Sequence, residues 1–287
     1  MNEEVKITYQ KMVNDDTALP PKQLLNVKGE DGDTLMNLAV RNQNISIVKR
    51  LADAEADPFI RNENGMNAMM LASVNTDVDI LEYLICRYYS RISDDDRGEL
   101  LACAAANNCV ENVKCMLAHE FSPVSLYRDE PTAVWAMQSE NMELIRLLIS
   151  AGASVNSENE MGQTLLLTAA ADGQLEICRQ LIEMGALIEK SDDHKNTPLL
   201  MACSYGRGEV VQLLLSHGAD ADVRCSEGST ALQRAIGYGH TEIVKLLLEN
   251  GADALAQDDK GRGVREYTSD IMDYAVKAEM ENTLSDY

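Results

Sequence analysis

The sequence predicts an all-α fold, a solenoid of stacked helix-turn-helix units with hairpin loops between them and a helical cap at each end. Three observations support this prediction: a pattern returns every 33 residues, each copy carries two short apolar segments, and aromatic residues are scarce. Hydrophobic residues make up 45% of the chain and aromatic residues only 5%. The small or flexible side chains that remain suit thin layers of packed helices.

The repeat is clearest in the second half of the chain, where one pattern opens at Thr164, Thr197 and Thr230, 33 residues apart. The copy at Thr197 reads TPLLMACSYGRGEVVQLLLSHGADADV. Glycines after the second apolar segment keep the same step, at Gly152, Gly185, Gly218 and Gly251. Weaker copies open upstream, with a step of 32 between the last two, at Thr34, Asn67, Leu100 and Thr132. A fixed period of this length indicates a repeat architecture.

These units resemble ankyrin repeats, since they share the TPLH-like helix start, the paired helices and the GAD-type turn of that family. The resemblance covers residues 30–262, and we count seven repeats, with the array irregular around 118–134. A terminal repeat would otherwise expose an apolar face. We therefore expect residues 1–29 to form an N-terminal capping helix and connector, and residues 263–287 to form a C-terminal capping helix, within DIMDYAVKAEMENTL.

The first helix of each repeat is predicted to start at its threonine, whose side chain can accept a hydrogen bond from a free backbone N–H group. Pro198 suits the first helical position because proline lacks that group. Gly173, Gly206 and Gly239 should end the helix, because glycine adopts a left-handed backbone without steric cost.

The second helix is predicted to begin with an acidic residue near its positive end, at Glu143, Glu176, Glu209 and Glu242. Apolar pairs follow, and the helix should stop at the next glycine. A helix of about ten residues is marginal in water. Each repeat must therefore bury its apolar stripe against its neighbours.

The segment 118–134 departs most from the repeat pattern, because it lacks the GAD turn and contains Pro123 and Pro131. We predict an irregular hairpin or bend there. The units that open at Asn67, Leu100 and Thr132 also lack the TPLH-like start.

The charge balance is strongly acidic, with 47 acidic and 25 basic residues and a formal net charge of −22. This charge disfavours direct binding to nucleic acid or to a membrane surface. It raises solubility and would also speed encounter with a basic partner, so both interpretations stay open. The N-terminus does not have the pattern of a signal peptide, and no apolar stretch approaches the roughly 20 residues of a membrane span.

Seven cysteines without a CxxC pair favour reduced thiols, and we expect an intracellular protein, cytoplasmic or nuclear. By register, core positions are predicted for Cys86, Cys115, Cys178 and Cys203, and Cys225 should be the most exposed thiol. The four histidines lie in different units, without metal-ligand spacing. We find no phosphate-binding glycine loop, GxSxG or HExxH motif, and so expect no enzyme, cofactor or metal site.

The resemblance implies that partners dock on a concave surface lined by hairpin tips and first helices. Eight residues after the opening threonines, the register places Asp172, Tyr205 and Tyr238. The hairpin tips carry a second, mostly charged set, Asp193, His194, Glu227 and Asp259, with Lys260 beside the last. Tyrosine is favoured in interfaces because it combines a rigid apolar ring with a polar hydroxyl. We predict that these two sets form the partner-binding surface.

Each of these side chains also has a structural explanation. The tyrosine rings could pack over the helix junction of the next unit, and charged tips could be ordinary solvated loops. Packing is the favoured role of Trp135, the single tryptophan. Asn156, in the string SAGASVN, resembles an asparagine that an oxygenase hydroxylates in some family members.

The leading hypothesis is a monomeric scaffold or adaptor that binds a protein partner, of basic or mixed charge, through the concave surface of units five to seven. One alternative is an acidic inhibitor that masks a basic nucleic-acid-binding or localisation surface, as ankyrin proteins resembling Rel-factor inhibitors do. Another is a microbial effector that is secreted into a host cell and acts on a host protein. Salt sensitivity tests the inhibitor.

Overall fold

Consecutive helix pairs joined by short turns make up most of the computed structural model, which describes residues 2–15, 17–29, 31–137, 139 and 141–285. The chain divides into two compact units between Ala153 and Ser154. In each unit the helix pairs follow the predicted repeat, and the predicted all-α fold class is confirmed.

The first unit begins with helix α1 (Asn2–Asn14) and a 3-10 turn at Lys22–Leu24, and its described residues then form four helix pairs. The first helices of these pairs are α2 (Leu35–Arg41), α4 (Ala68–Ser73), α6 (Asp94–Ala106) and α8 (Thr132–Met137). The second helices are α3 (Ile45–Asp53), α5 (Val78–Tyr88), α7 (Val110–Ala118) and α9 (Met142–Ser150). A 3-10 turn at Tyr89–Arg91 follows α5.

Helix α1 packs against α2. The side chains of Val5 and Met12 are 0% and 1% exposed. The guanidinium of Arg50, in α3, donates hydrogen bonds to the backbone carbonyl oxygens of Met12, Asp15 and Ala18. Carbonyl groups at a helix end lack partners within the helix, so these bonds both satisfy the end of α1 and tie it to the first repeat.

Side-chain caps start the first helices of this unit, and one of them corrects a predicted boundary. Thr34 and Asn67 cap α2 and α4, as their register predicts. The third repeat was predicted to open at Leu100, which is wrong as a helix start because α6 begins six residues earlier. There Ser93 Oγ accepts the N–H of Asp96 at 3.1 Å, and the Asp96 carboxylate accepts the N–H of Ser93 at 3.2 Å. This capping box stabilises an earlier turn.

The predicted irregular segment is an antiparallel hairpin, in which β1 (Leu126–Tyr127) pairs with β2 (Glu130–Pro131). Its two turn residues, Arg128 and Asp129, have φ angles of 52° and 61°, as a tight hairpin turn requires. Trp135 Nε1 donates a hydrogen bond to the carbonyl oxygen of Tyr127 at 3.2 Å, and the two rings lie 5.5 Å apart. The predicted hairpin is confirmed, and so is the packing role of Trp135.

The second unit contains three helix pairs of the regular type, followed by two further helices. The first helices are α10 (Leu165–Asp172), α12 (Pro198–Ser204) and α14 (Ala231–Gly237). The second helices are α11 (Leu175–Glu183), α13 (Gly208–Ser216) and α15 (Thr241–Glu249), and helices α16 (Val264–Ser269) and α17 (Tyr274–Ser285) follow.

The predicted starts and ends of the first helices are confirmed in this unit. The threonine side chains of α10, α12 and α14 each accept the backbone N–H three residues on, and these caps are Thr164, Thr197 and Thr230. The glycines that follow these helices have φ angles of 81°, 72° and 77°. The left-handed region favours glycine, so these positions reverse the chain at little cost.

Small side chains let the first helices pack closely, α10 on α12 and α12 on α14. The residues at these contacts and their partners on the second helices are fully buried, namely Ala169, Ala202, Ala235, Leu181, Leu214 and Leu247. Truncation of a buried leucine to alanine costs about 2–5 kcal/mol. Each pair is therefore stabilised mainly by its neighbours rather than by its own short helices.

The C-terminal segment forms two helices where one had been predicted. Helix α16 follows Gly263, which lies 33 residues after Thr230 in the repeat register, and helix α17 starts at Tyr274 rather than at Asp270. The Asp258 carboxylate accepts hydrogen bonds from Arg262 Nε at 2.8 Å and from the Tyr267 hydroxyl at 2.9 Å. These contacts link the preceding hairpin to α16.

Two predictions about the cysteines are wrong. Cys86 is exposed, because it lies off the stripe that α5 buries with Leu84 and Ile85. Cys225 is only 5% exposed. It occupies the tip position at which Asp192 and its counterparts turn inward, and its Sγ lies 3.0 Å from the hydroxyl of Ser229.

The other thiols follow the register more closely. Cys178 and Cys203 are fully buried, as predicted, and Cys115 is half-buried.

Candidate partner-binding surface

Two exposed rows of side chains in the second unit contain all the predicted binding residues. The helix-end row comprises Asp172, Tyr205 and Tyr238, at the C-terminal ends of α10, α12 and α14. The tip row comprises Asp193, His194, Glu227 and Asp259, in the hairpins between repeats. All seven side chains are exposed to solvent.

The tyrosines of the helix-end row are presented by rigid backbone. Tyr205 and Tyr238 are 55% and 65% exposed, and their backbone N–H groups bond to helix carbonyl oxygens as C-caps. The Tyr238 ring stacks on the imidazole of His240, with 6.4 Å between ring centroids. That imidazole lies against Gly206, where an added Cβ would be only 2.7 Å from the ring. Glycine at this position thus allows His240 to support Tyr238 from below.

The tip row is ordered by hydrogen bonds that run from one hairpin to the next. Asp193 donates its backbone N–H to the carbonyl oxygen of Met161 at 3.2 Å. Ser226 donates to His194 at 2.9 Å, and Asp259 donates to Glu227 at 3.4 Å. These bonds fix the spacing of the acidic side chains, because the backbone at each tip is held by its neighbour.

The structure does not bring the two rows together into one cluster. Seven helical residues separate the cap of α12 from Tyr205. At 1.5 Å per residue, this places the helix-end row about 10 Å from the bases of the hairpins. A partner that contacts both rows must therefore cross the exposed faces of the first helices.

Sequence reasoning missed the residues on this intervening face. Thr168, Met201 and Arg234 share one register position and are half-buried. The guanidinium of Arg234 donates to Asn196 Oδ1 at 2.8 Å and to Ser204 Oγ at 3.2 Å, across the face of α12. Their common spacing of 33 residues, four after the threonine, was the signal that could have identified them.

A cleft of about 300 Å³ opens beside the helix-end row, among residues that include Gly206, His240, Glu242 and Glu279. Lys245 Nζ lies 2.8 Å from a Glu242 oxygen and 4.0 Å from a Glu279 oxygen. The cleft is shallow and acidic, and it continues the surface that carries His240 and Tyr238. It could accept a basic side chain of a partner.

Asn156 has a structural role that its family resemblance did not predict. Its side-chain Oδ1 accepts the backbone N–H of Leu187 at 2.8 Å. Glu189 and Asp222 do the same for the next repeats, accepting the N–H groups of Asp220 and Asp253. These side chains form a polar ladder that links successive loops.

Sites of other kinds are not evident in the described part of the chain. No cluster of three or more His, Cys, Asp or Glu side chains there could hold a metal ion. The helices within those residues include none that is long and apolar enough to cross a membrane.

The fold and the exposed rows define a helical repeat array that offers an extended recognition surface. A family model described as ankyrin repeats matches residues 18–96, 100–192 and 185–258. Since these segments cover most of the sequence, the chain belongs to the ankyrin-repeat family. Ankyrin repeats are generally protein–protein interaction modules, and the family is typically non-catalytic.

The similarity to individual proteins is confined to the repeats. An ankyrin repeat and KH domain-containing protein from Caenorhabditis briggsae is 28% identical over 128 residues, which cover 44% of this chain and 5% of that protein. The regulatory protein SWI6 from Saccharomyces cerevisiae is 51% identical over 43 residues, 15% of this chain and 5% of SWI6. The matches thus span about a twentieth of each relative.

Proposed function

We propose that the chain is a non-catalytic scaffold or adaptor that binds a protein partner through the helix-end row and the tip row of its second unit. The observation that carries this proposal is the pair of exposed tyrosines, Tyr205 and Tyr238, at the same position of adjacent repeats. Both sit on capped helix ends, so little conformational entropy is lost when a partner covers them.

The charges around the tyrosines support a partner segment of mixed charge. The tip row is acidic apart from His194, while Arg234 places a cation on the helix face between the rows. Complementary charge favours fast and selective association. A partner with basic residues toward the tips and an acidic or polar residue toward Arg234 fits this pattern best.

The proposed place of action is the interior of a cell. All seven cysteines are free thiols, and such a set persists in a reducing compartment.

A capture experiment with two double variants tests the proposed surface. The immobilised chain is incubated with cell extract, and bound proteins are quantified by mass spectrometry for the wild type and for Tyr205→Ala/Tyr238→Ala. Interface tyrosines of this kind often contribute about 2 kcal/mol or more each, so affinity for the partner should fall at least about 30-fold per residue.

The matched control is Leu187→Ala/Leu255→Ala, which removes two exposed apolar side chains from other loops of the same unit, 56% and 88% exposed. Proteins lost with the tyrosine variant should be retained by this control. Unchanged capture by the tyrosine variant, with an unchanged circular dichroism spectrum, counts against the surface.

The net charge of −22 favours a second candidate, an inhibitor that masks a basic nucleic-acid-binding or localisation surface. Such masking depends on charge complementarity, which salt screens over about 8–10 Å at physiological ionic strength. The test is competition between the chain and nucleic acid for the captured partner over a series of salt concentrations. Competition that does not weaken as salt rises rejects the inhibitor.

A further inference from the structure

A second cluster of reactive side chains lies in the first unit, away from the proposed binding surface. Cys86 is the ninth residue of α5, and His119 follows the ninth and last residue of α7. Cys86 Sγ lies 3.4 Å from His119 Nε2, and Cys115 Sγ lies 3.9 Å from His119 Nδ1. Cys86 is exposed, whereas Cys115 and His119 are half-buried.

The backbone fixes which imidazole nitrogen faces Cys86 as an acceptor. His119 Nδ1 lies 2.9 Å from the carbonyl oxygen of Cys115. A carbonyl oxygen can only accept, so the neutral imidazole carries its proton on Nδ1 and has a free lone pair on Nε2. The thiol of Cys86 therefore donates its hydrogen bond to Nε2. This is the arrangement in which a histidine serves as the base for a thiol nucleophile.

We infer that Cys86 is a modification site for small electrophiles, in particular peroxides, with His119 as its base. The Cys86 proton passes to His119 Nε2, and the thiolate sulfur attacks one peroxide oxygen. The O–O bond breaks as an S–O bond forms. Sulfur is oxidised to a sulfenic acid, the peroxide is reduced, and the departing oxygen takes the proton from His119 and leaves as water or an alcohol.

The other cysteines are less suited to this reaction. Burial raises the pKa of Cys103 and Cys115 to about 11 and that of Cys178 to about 12, and it also raises the pKa of Cys109 and Cys203. The thiolate is the reactive species, so these groups react slowly.

Cys225 has a different limitation. Burial acts to raise its pKa, but hydrogen bonds from Ser229 and Arg234 outweigh that effect and lower it. Its side chain is nevertheless only 5% exposed, which restricts access. Cys86 combines exposure with an adjacent base.

The chain offers a matched control histidine. His217 follows α13 as His119 follows α7, and its Nδ1 likewise lies 2.9 Å from a backbone carbonyl oxygen, that of Leu213. The residue equivalent to Cys86 in the preceding repeat is Glu183, the ninth residue of α11. Replacement of His217 therefore alters a similar helix end without affecting the base at Cys86.

The test is alkylation of the full chain by limiting iodoacetamide near neutral pH, with peptide mass spectrometry to give a rate for each cysteine. Cys86 should react first, and His119→Ala should slow it about tenfold or more, while His217→Ala leaves its rate unchanged. His119→Gln, a second variant that keeps a polar side chain, should slow Cys86 to a similar extent. Circular dichroism confirms that each variant is folded.

Peroxide provides the second arm of the test. Treatment with hydrogen peroxide and a dimedone probe should label Cys86 in the wild type and in His217→Ala, and label it much less in both His119 variants. The inference is overturned if Cys86 reacts no faster than Cys103 or Cys109, or if the folded His119 variants leave its rates unchanged.

Discussion

At the residue scale, one turn position explains why the early repeats are hard to detect. After the second helix the chain needs a left-handed residue, which is glycine at Gly152, Gly185, Gly218 and Gly251. The first and third repeats place Glu55 and Glu120 there, with φ angles of 66° and 63°. The backbone is the same although the sequence signal is lost. A glycine pattern therefore identified the later repeats better than the earlier ones.

Replacement of these glutamates should stabilise the chain. A left-handed conformation costs a residue with a Cβ about 1 kcal/mol, so Glu55→Gly and Glu120→Gly should each raise the free energy of unfolding by about that amount. Urea denaturation followed by circular dichroism measures the change as a shift in midpoint.

Gly218→Ala is the reverse control. Its φ is 87°, and no atom lies within 4 Å of the added Cβ, so only the backbone conformation is affected. It should lower the midpoint. A stabilising effect of Gly218→Ala would contradict the explanation.

Asp258 gives a prediction about pH. Burial acts to raise its pKa, but hydrogen bonds from the backbone of Arg262, from Tyr267 and from the Arg262 side chain lower it to about 2. A lowered pKa in the folded state contributes stability above the unfolded pKa, which is lost as pH falls toward the folded value. The difference in thermal midpoint between wild type and Asp258→Asn should be constant above about pH 5 and shrink between about pH 4 and pH 2.

The exposed neighbour Asp259 supplies the control for this measurement. Asp259→Asn should follow the wild-type pH profile, because this carboxylate lies outside the bonds to Arg262 and Tyr267. A constant difference for Asp258→Asn down to pH 2 would show that its ion pair does not shape the acid response.

At the scale of helices and hairpins, the sequence predicted features that local residue chemistry determines. The threonine caps, the glycine ends and the hairpin near Pro131 were all found as predicted. The start of α6 and the burial of Cys225 were not, because a capping box at Ser93 and an inward-turned tip override the repeat register. The acceptor role of Asn156 was also missed, since its partner lies 31 residues away.

Gly98 determines how closely the irregular hairpin approaches α6. A Cβ at this buried helical position would lie 2.5 Å from the carbonyl oxygen of Leu126 in β1. Gly98→Ala should displace the hairpin and lower stability by about 1–3 kcal/mol. The fluorescence of Trp135, the single tryptophan, should change because its ring packs on Tyr127.

Gly208→Ala is the matched helical control. The nearest atom to its added Cβ is 3.9 Å away, an ordinary contact, so stability should not fall. If both variants behave alike, the close approach of the hairpin has no energetic consequence.

At the scale of the whole molecule, the repeat period predicted the family and the fold, and the register predicted which binding candidates are exposed. The register could not predict that the candidates form two separate rows, because that depends on the length and direction of the first helices. It also omitted Arg234, whose partners Asn196 and Ser204 lie 30 or more residues away. Composition predicted the acidic charge but not its distribution over this surface.

The most direct test of the account is hydrogen exchange of the chain, alone and bound to the protein recovered with it. Binding should slow exchange at the helix ends that carry Tyr205 and Tyr238 and at the hairpin tips of the second unit. Exchange in α11, α13 and α15 should change little. Protection confined to those second helices, or to the first unit, would contradict recognition through the two rows.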